Sequence, residues 1–250
     1  MTKQQPTIIG SYLSPYVRKV LVCLEIKGIV YEIDPIVPYF GSDAFTGISP
    51  LRRIPVLIDD RVTLADSTAI CEYLNEAYDG PALLPSEPAA RARSRWLEEF
   101  ADSRMGDVFI WHYYNQIVIR NKIWQRPPDE AVLEKAINEE IPGILDYLED
   151  QVPGGEYLFG QIAVADIAIA SFFRNAHFAG FELDSERWPR TAGFVEHVFA
   201  HRGFAKLRAF EDLMMSTPIH ERRQALSDAG APLTKETMAG REPRAGFFYT

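Results

Sequence analysis

The sequence is poor in cysteine and has no long apolar segment. Only Cys23 and Cys71 occur among 250 residues, so a disulfide framework is not expected. Both lie inside amphipathic helical patterns, which predicts small buried residues. No run approaches the ~20 apolar residues of a membrane span, and the first residues lack a signal-peptide pattern. These absences favour a reducing, cytoplasmic setting and no membrane partner.

An excess of positive charge is also absent. The chain carries 35 acidic and 26 basic residues, a formal net charge of -9. Nucleic acid and anionic membrane surfaces are therefore not expected as partners, although a local basic pocket for a small anion is compatible with this charge. The composition, 47% hydrophobic and 24% charged, is typical of a globular protein of one or two domains. No metal site is predicted.

Residues 48–74 (ISPLRRIPVLIDDRVTLADSTAICEYL) organise the first half of the sequence. Two short apolar runs separated by polar residues predict a β-hairpin. Asp66 and Ser67 are N-cap residue types before apolar residues at helical spacing, so the hairpin leads into a capped helix. Pro55 begins a strand without a donor for the ladder, which places it at an edge or at a special, cis bend. A helix start with an acid and a hydroxyl suits a charged ligand.

This ordered combination resembles the glutathione-binding half of the soluble glutathione S-transferases. That family has an Ile/Val-Pro-Val/Ala-Leu strand with a cis proline, then a Glu/Asp-Ser pair that opens a helix with Ala-Ile-x-x-Tyr-Leu. The corresponding residues here begin at Ile54-Pro55, Asp66-Ser67 and Ala69. The resemblance implies a thioredoxin-like domain and glutathione as co-substrate, with no metal. The competing interpretation is that these residues only cap a helix and shape a turn.

The turn before the first predicted helix carries the candidate catalytic hydroxyl. Residues 7–11 predict a strand, and Ser14 with Pro15 opens a helix. Family members that use serine carry it at this turn, and the neighbourhood resembles the plant tau class and bacterial relatives. A hydrogen bond to a thiolate contributes roughly 1.5–3 kcal/mol, about what is needed to lower a thiol pKa by ~2 units. Ser14 as a simple N-cap, and Ser11 or Tyr12 as the donor, remain alternatives.

The resemblance also implies the other contacts with glutathione. Asp66 would pair with the ammonium, and Ser67 with the helix amides would hold the γ-glutamyl carboxylate. The backbone of Ile54 would pair with the cysteinyl amide. Arg53, or alternatively Arg52, would meet the glycyl carboxylate. The competing interpretation is that Arg53 and Arg52 are solvated surface arginines.

The second half of the sequence predicts helices only. The predicted fold class is therefore α/β plus all-α, with an N-terminal thioredoxin-like domain followed by a C-terminal helical bundle. The predicted segments are the glutathione-binding domain 1–79, a proline-rich linker 80–88, the helical domain 89–215 and a C-terminal extension 216–250.

Asp166 in the helical half is predicted to be structural rather than catalytic. It matches the acidic position of the family's folding motif, in which a Ser/Thr N-cap stands three residues earlier. Here that position is Ala163, a change that typically costs ~1 kcal/mol. Asp166 can still accept from a free amide at the helix start, which is half of a capping box.

Three aromatic residues are candidates for a second-substrate pocket between the domains. They are Tyr16, Trp111 and Tyr114, and they suggest an apolar, planar electrophile. Aromatic residues at helical spacing are more often core residues, which is the competing interpretation.

The extension 216–250 exceeds the usual length of the family. It is either a polar surface appendage or a segment that packs across the second-substrate cleft or onto a partner subunit. The second interpretation rests on the terminal aromatic residues 247–249, because exposed aromatics favour burial.

The leading functional hypothesis is a homodimeric glutathione transferase for detoxification of hydrophobic electrophiles. The thiolate activated by Ser14 would be the nucleophile. A cysteine at position 14 would instead favour thiol–disulfide or lyase chemistry. The alternatives are a glutathione- or ligand-binding scaffold without turnover, and a glutathione-dependent lyase, isomerase or peroxidase.

Overall fold

The computed structural model describes residues 5–244. These residues pack into two compact units, of which the second is Ala82–His201. The first unit combines the chain up to Pro81 with the chain from Arg202 onward. Packing therefore joins residues 202–215 to the first unit, whereas the boundaries drawn from the sequence pattern stay a prediction of domain limits. No helix within the described part of the chain is both long and apolar enough to cross a membrane.

The first unit is built on a four-stranded mixed sheet with the strand order β2-β1-β3-β4. β1 is parallel to β2 and antiparallel to β3, and β3 forms a hairpin with β4. The predicted hairpin is confirmed, and so is the predicted fold class, an α/β unit with a helical unit. The strands are β1 (Thr7–Ile9), β2 (Glu32–Asp34), β3 (Val56–Ile58) and β4 (Thr63–Leu64).

Helices account for most of the remaining ordered structure. Two stretches are π-helical, Ala101–Ile119 and Ala136–Glu140, and two single turns are 3₁₀, Pro38–Phe40 and Ile219–Glu221. In chain order the α-helices are α1 (Pro15–Lys27), α2 (Asp43–Ile48), α3 (Ser67–Ala77), α4 (Pro88–Phe100), α5 (Arg120–Lys122), α6 (Glu130–Lys135), α7 (Ile141–Gln151), α8 (Val164–Phe178), α9 (Pro189–Phe199), α10 (Arg202–Ser216) and α11 (Arg222–Asp228).

Helix α1 is the centre of the first unit because it packs against both α3 and α10. Its contact with α3 buries both cysteines, as predicted, with the Sγ atoms of Cys23 and Cys71 3.6 Å apart. Its contact with α10 contains an ion pair between Arg18, which is fully buried, and Glu211, with Nε and Oε1 2.5 Å apart. Removing one partner of a buried pair typically costs ~3–5 kcal/mol. The pair therefore ties α10 firmly to α1.

The long helical pattern at the start of the second unit is continuous from α4 through the π-helical stretch to α5. At the end of the π-helical stretch the N–H of Arg120 donates to the carbonyl of Asn115, five residues earlier. Asp129 then caps α6 by accepting from the N–H of Val132 at 3.3 Å. Pro142 lies where the π-helical stretch Ala136–Glu140 continues directly into α7, so its missing N–H falls inside a continuous helix.

Helix α8 is the apolar centre of the second unit and begins at an incomplete cap. Asp166 is fully buried, and its two carboxylate oxygens accept from the N–H groups of Leu158 and Ala163, both at 2.8 Å. Burial raises the pKa of Asp166 to about 6, while these two hydrogen bonds act in the opposite direction. Ala163 has no side-chain acceptor, so only half of a capping box is present.

A serine at position 163 should complete this box. The backbone of Ala163 is extended, with φ -125° and ψ 169°, which is the conformation of an N-cap residue. We expect Ala163→Ser to raise the free energy of unfolding by about 0.5–1 kcal/mol in urea denaturation. The matched control is Ala168→Ser, because this buried alanine lies inside the same helix and should lose stability. Equal losses for the two variants would contradict the capping account.

Candidate functional site

The sheet register places the turn after β1 beside the segment before β3. Ile9 and Val56 are partners in the antiparallel pairing of β1 with β3, so Gly10 follows next to Ile54. A Cβ atom on Gly10 would lie 2.5 Å from Cγ2 of Val17 and 3.3 Å from Cβ of Ile54, at a φ of +154°. Only glycine allows this approach. Sequence reasoning missed Gly10, although a glycine between a strand and a polar turn was the available signal.

Ser14 stands at the start of α1, at the end of this turn. Its Oγ accepts a long hydrogen bond, 3.3 Å, from the N–H of Val17 and thereby caps the helix. Within residues 5–244 the hydroxyl proton of Ser14 has no acceptor. The hydroxyl is half-buried and keeps a donor available beside the positive end of the helix dipole.

The two alternative hydroxyls are placed differently. Tyr12 is only 1% exposed, and its ring packs against Phe210 of α10 at a centroid distance of 5.2 Å. Burial, with a smaller effect of the Glu25 charge, raises the pKa of Tyr12 above its usual range. Ser11 is 3% exposed, and its Oγ accepts from the N–H of Leu13. Both hydroxyls are less accessible than that of Ser14.

The peptide bond between Ile54 and Pro55 is cis. Among the described residues, the main-chain N–H and carbonyl of Ile54 have no hydrogen-bond partner. The preceding residue is held by Ser49, which is 1% exposed and both accepts from the N–H of Arg53 at 3.0 Å and donates to its carbonyl at 2.8 Å. Backbone groups that can pair with a peptide-like ligand are thus presented on a fixed turn.

The two arginines before Ile54 differ in their surroundings. Arg52 is 8% exposed and has a φ of +52°. Its guanidinium donates to Oγ1 of Thr46 at 2.6 Å and to the carbonyls of Gly41 at 2.9 Å and Pro38 at 3.2 Å. Arg52 therefore holds the loop before α2 and is not a solvated surface arginine, whereas its role as the alternative ligand stays a prediction. Arg53 is exposed, and its role as a ligand stays a prediction.

The start of α3 offers the remaining polar groups. Asp66 is exposed, and its Oδ1 accepts from the N–H of Ala69 at 2.9 Å, which leaves the other carboxylate oxygen for a ligand. Ser67 is the first helical residue, and the described part of the chain provides no partner for its hydroxyl. Lys19 of α1 donates to Oγ1 of Thr68 at 3.3 Å. The first turn of α3 is thereby tied to α1 and carries a nearby positive charge that sequence reasoning missed.

The predicted aromatic residues do not all belong to one unit. Tyr16 is the second residue of α1 and is half-buried. Trp111 and Tyr114 lie in the π-helical stretch of the second unit, where Tyr114 is 6% exposed. Their contribution to a second-substrate pocket stays a prediction. Within residues 5–244 no group of three or more His, Cys, Asp or Glu side chains is arranged to hold a metal ion.

Comparison with known proteins identifies the family. The model of the glutathione S-transferase N-terminal domain matches residues 8–82, and that of the glutathione S-transferase C-terminal domain matches residues 116–209. The uncharacterized GST-like protein YibF of Escherichia coli (strain K12) is 30% identical over 204 residues, which cover 80% of this chain and 96% of that protein. Maleylacetoacetate isomerase of Rattus norvegicus is 28% identical, covering 84% and 93%.

A solved structure supports the same assignment. The crystal structure of a glutathione S-transferase from Rhodospirillum rubrum F11 has a TM-score of 0.74 and 25% sequence identity, and it covers 81% of this chain and 91% of that one. Both family models and a relative aligned over almost its whole length thus point to the same family. The chain belongs to the soluble glutathione S-transferase family.

Proposed function

We propose that this protein is a glutathione transferase in which the Ser14 hydroxyl stabilises the glutathione thiolate. The observation that carries the proposal is the unused donor of Ser14 at the start of α1, at the end of a turn whose Gly10 lies against Ile54, a residue with an unpaired backbone. A peptide that pairs with Ile54 brings its cysteinyl side chain to the turn that holds Ser14. No other hydroxyl of this turn is equally accessible.

The polar groups around Ser14 match the charges of glutathione. Asp66 pairs with the ammonium, and the Ser67 hydroxyl with the free amides of α3 holds the γ-glutamyl carboxylate. The backbone of Ile54 pairs with the cysteinyl amide, and Arg53 meets the glycyl carboxylate. Each charged group of the tripeptide, and one of its two amides, then has a partner of opposite charge or complementary hydrogen bonding.

The energy required of Ser14 is modest. A free thiol has a pKa of ~8.5, and a pKa lower by ~2 units requires ~2.7 kcal/mol in favour of the thiolate. A hydrogen bond to a charged acceptor contributes roughly 1.5–3 kcal/mol, and the N-terminus of α1 adds ~0.3–1 kcal/mol. In the chemical step, the thiolate sulfur forms a bond to an electrophilic carbon, the bond from that carbon to its leaving group breaks, and the leaving group, such as chloride, departs with the electron pair. The thiol proton has already left to solvent.

A glutathione-dependent isomerase is the second candidate, favoured by the similarity to maleylacetoacetate isomerase over 84% of this chain. In such a reaction the thiolate adds to an activated double bond and leaves again, so glutathione is not consumed. A titration of total glutathione during turnover separates the two activities, because only conjugation depletes it.

The remaining parts of the proposal rest on family membership alone. We expect a homodimer that acts in the cytoplasm, where glutathione is abundant, on small hydrophobic electrophiles such as those met in detoxification. Tyr16, Trp111 and Tyr114 are proposed to contact the electrophile. A scaffold that binds glutathione without turnover is the alternative that the kinetic tests exclude or establish.

The activity of Ser14→Ala should depend on pH. At pH 6.5 we expect kcat/KM for glutathione with an activated aryl chloride to fall about 10- to 100-fold, the factor that one charge-assisted hydrogen bond supports. Above pH ~8.5 the deficit should shrink, because the thiolate then forms without help. Ser14→Thr, which keeps the hydroxyl, should retain most activity.

The loss of a helix cap is controlled separately. Asp129→Ala removes the N-cap of α6 in the second unit and should lower stability by ~1 kcal/mol without changing the pH profile. An unchanged profile in Ser14→Ala would mean that Ser14 only caps α1.

The two roles of Asp66 can be separated by substitution. Asparagine caps a helix as well as aspartate but lacks the charge, so Asp66→Asn should keep wild-type stability and bind glutathione about 10-fold or more weakly. Asp66→Ala should lose both the stability of the cap and the affinity for glutathione. A glutathione analogue without the γ-glutamyl ammonium should bind wild type and Asp66→Asn equally in calorimetry. If Asp66→Asn binds glutathione like wild type, the ammonium assignment is wrong.

A further inference from the structure

The chain after α11, residues 231–244, lies against β2 and the loop before α2, within the first unit. We name this part of the extension the C-terminal strap. Leu233 forms a parallel bridge with Ile33 of β2, with Ile33 N–H donating to Pro232 at 2.8 Å and Thr234 N–H donating to Ile33 at 3.1 Å. Because β2 is an edge strand, the strap covers backbone groups that are otherwise open to pairing. The described part of the extension is therefore no loose surface appendage, and residues 247–249 lie outside the described residues.

The strap is anchored on one buried carboxylate. Asp34, at the end of β2, is 1% exposed. Its oxygens accept from Oγ1 of Thr237 at 2.8 Å, from the N–H of Met238 at 2.6 Å and from Nη1 of Arg223 at 2.9 Å. All three donors belong to the extension. A buried carboxylate without such donors carries a large desolvation cost, so the anchor and the strap stabilise each other.

From this anchor the strap continues along the loop that precedes α2. The carbonyl of Met238 accepts from the N–H of Ser42 at 2.9 Å, and the N–H of Gly240 donates to the carbonyl of Phe40. The side chain of Met238 packs on the cluster formed by Ile9, Ile36, Phe45 and Val56, and Ile54 packs on the same cluster. The strap thus shares a hydrophobic core with the residue that presents its backbone to the proposed ligand.

The loop before α2 is also hydrogen-bonded to the turn that is proposed to bind glutathione. Arg52 donates to the carbonyls of Pro38 and Gly41, while the strap bonds to Phe40 and Ser42 of the same loop. The strap, the loop and the turn that contains Arg53 and Ile54 therefore form one hydrogen-bonded network. Without the strap, the loop would keep the hydrogen bonds from Arg52 and lose those to Met238 and Gly240.

We propose that the C-terminal strap is a positioning element for glutathione, acting through the loop before α2 on the turn that carries Arg53 and Ile54. The inference rests on the proposed function of that turn. The strap touches neither the thiol nor Ser14 and should change glutathione affinity rather than the chemical step. Thr237 and Met238 are its positioning residues.

The test uses four full-length variants. At nearly constant shape, Thr237→Val removes the hydrogen bond that Oγ1 donates to Asp34 and the one that it accepts from the N–H of Ala239 at 3.1 Å. Met238→Ala removes the packing on the cluster. Lys235→Ala is the matched control, because this side chain lies in the same strap and is exposed. Thr237→Ser restores the hydroxyl and should return every property to the wild-type value.

We expect KM for glutathione to rise about fivefold to tenfold in Thr237→Val, the factor expected when the two hydrogen bonds of this hydroxyl in the strap are lost. Turnover at saturating glutathione should stay within about twofold, because the chemical step is untouched. Amide hydrogen exchange without glutathione should become faster in residues 38–54. Met238→Ala should show larger changes of the same kind, and Lys235→Ala none.

Two outcomes would overturn the inference. One is unchanged exchange in residues 49–54 of Thr237→Val and Met238→Ala, and the other is faster exchange with an unchanged KM. If wild type binds no glutathione, the proposed function fails by itself. In that case exchange in residues 49–54 alone decides whether the strap orders this turn.

Discussion

The pairing of Ile9 with Val56 fixes the geometry on which the candidate site depends. It brings the end of one strand beside the start of its antiparallel neighbour, so the turn to α1 and the turn before β3 meet. Gly10 permits this approach, since any Cβ there would collide with Val17. Two helices, α1 and α3, then begin near this turn, with the caps Ser14 and Asp66 at their first turns. The proposed glutathione site is built on these two helix starts.

Local patterns in the sequence were sufficient to predict the main elements near the site. The hairpin and the caps Ser14 and Asp66 depend on residues within one turn of each other, and the structure contains each of them. The sequence did not indicate the burial of Arg52 or the contact of Lys19 with α3, because their partners lie on other segments of the chain.

Contacts between residues distant in sequence were hardest to predict in the C-terminal region. The sequence pattern places α10 in the predicted helical domain, and those domain limits stay a prediction. The buried pair of Arg18 with Glu211, which packs α10 onto the first unit, was not visible in that pattern. Asp34 gave no sign in the sequence that its donors would come from Arg223, Thr237 and Met238. Contacts across about 200 residues of sequence leave no periodic signal, yet they complete the unit that contains the candidate site.

The most direct test is an ultraviolet titration of the thiolate of glutathione bound to wild type and to Ser14→Ala. Ser14 as thiolate donor predicts a bound thiol pKa about 2 units below that of free glutathione in wild type, and a return toward ~8.5 in the variant. A depressed pKa that survives the substitution would assign the effect to another donor. Binding with no depression in either protein would contradict an activated thiolate and indicate a glutathione-binding scaffold.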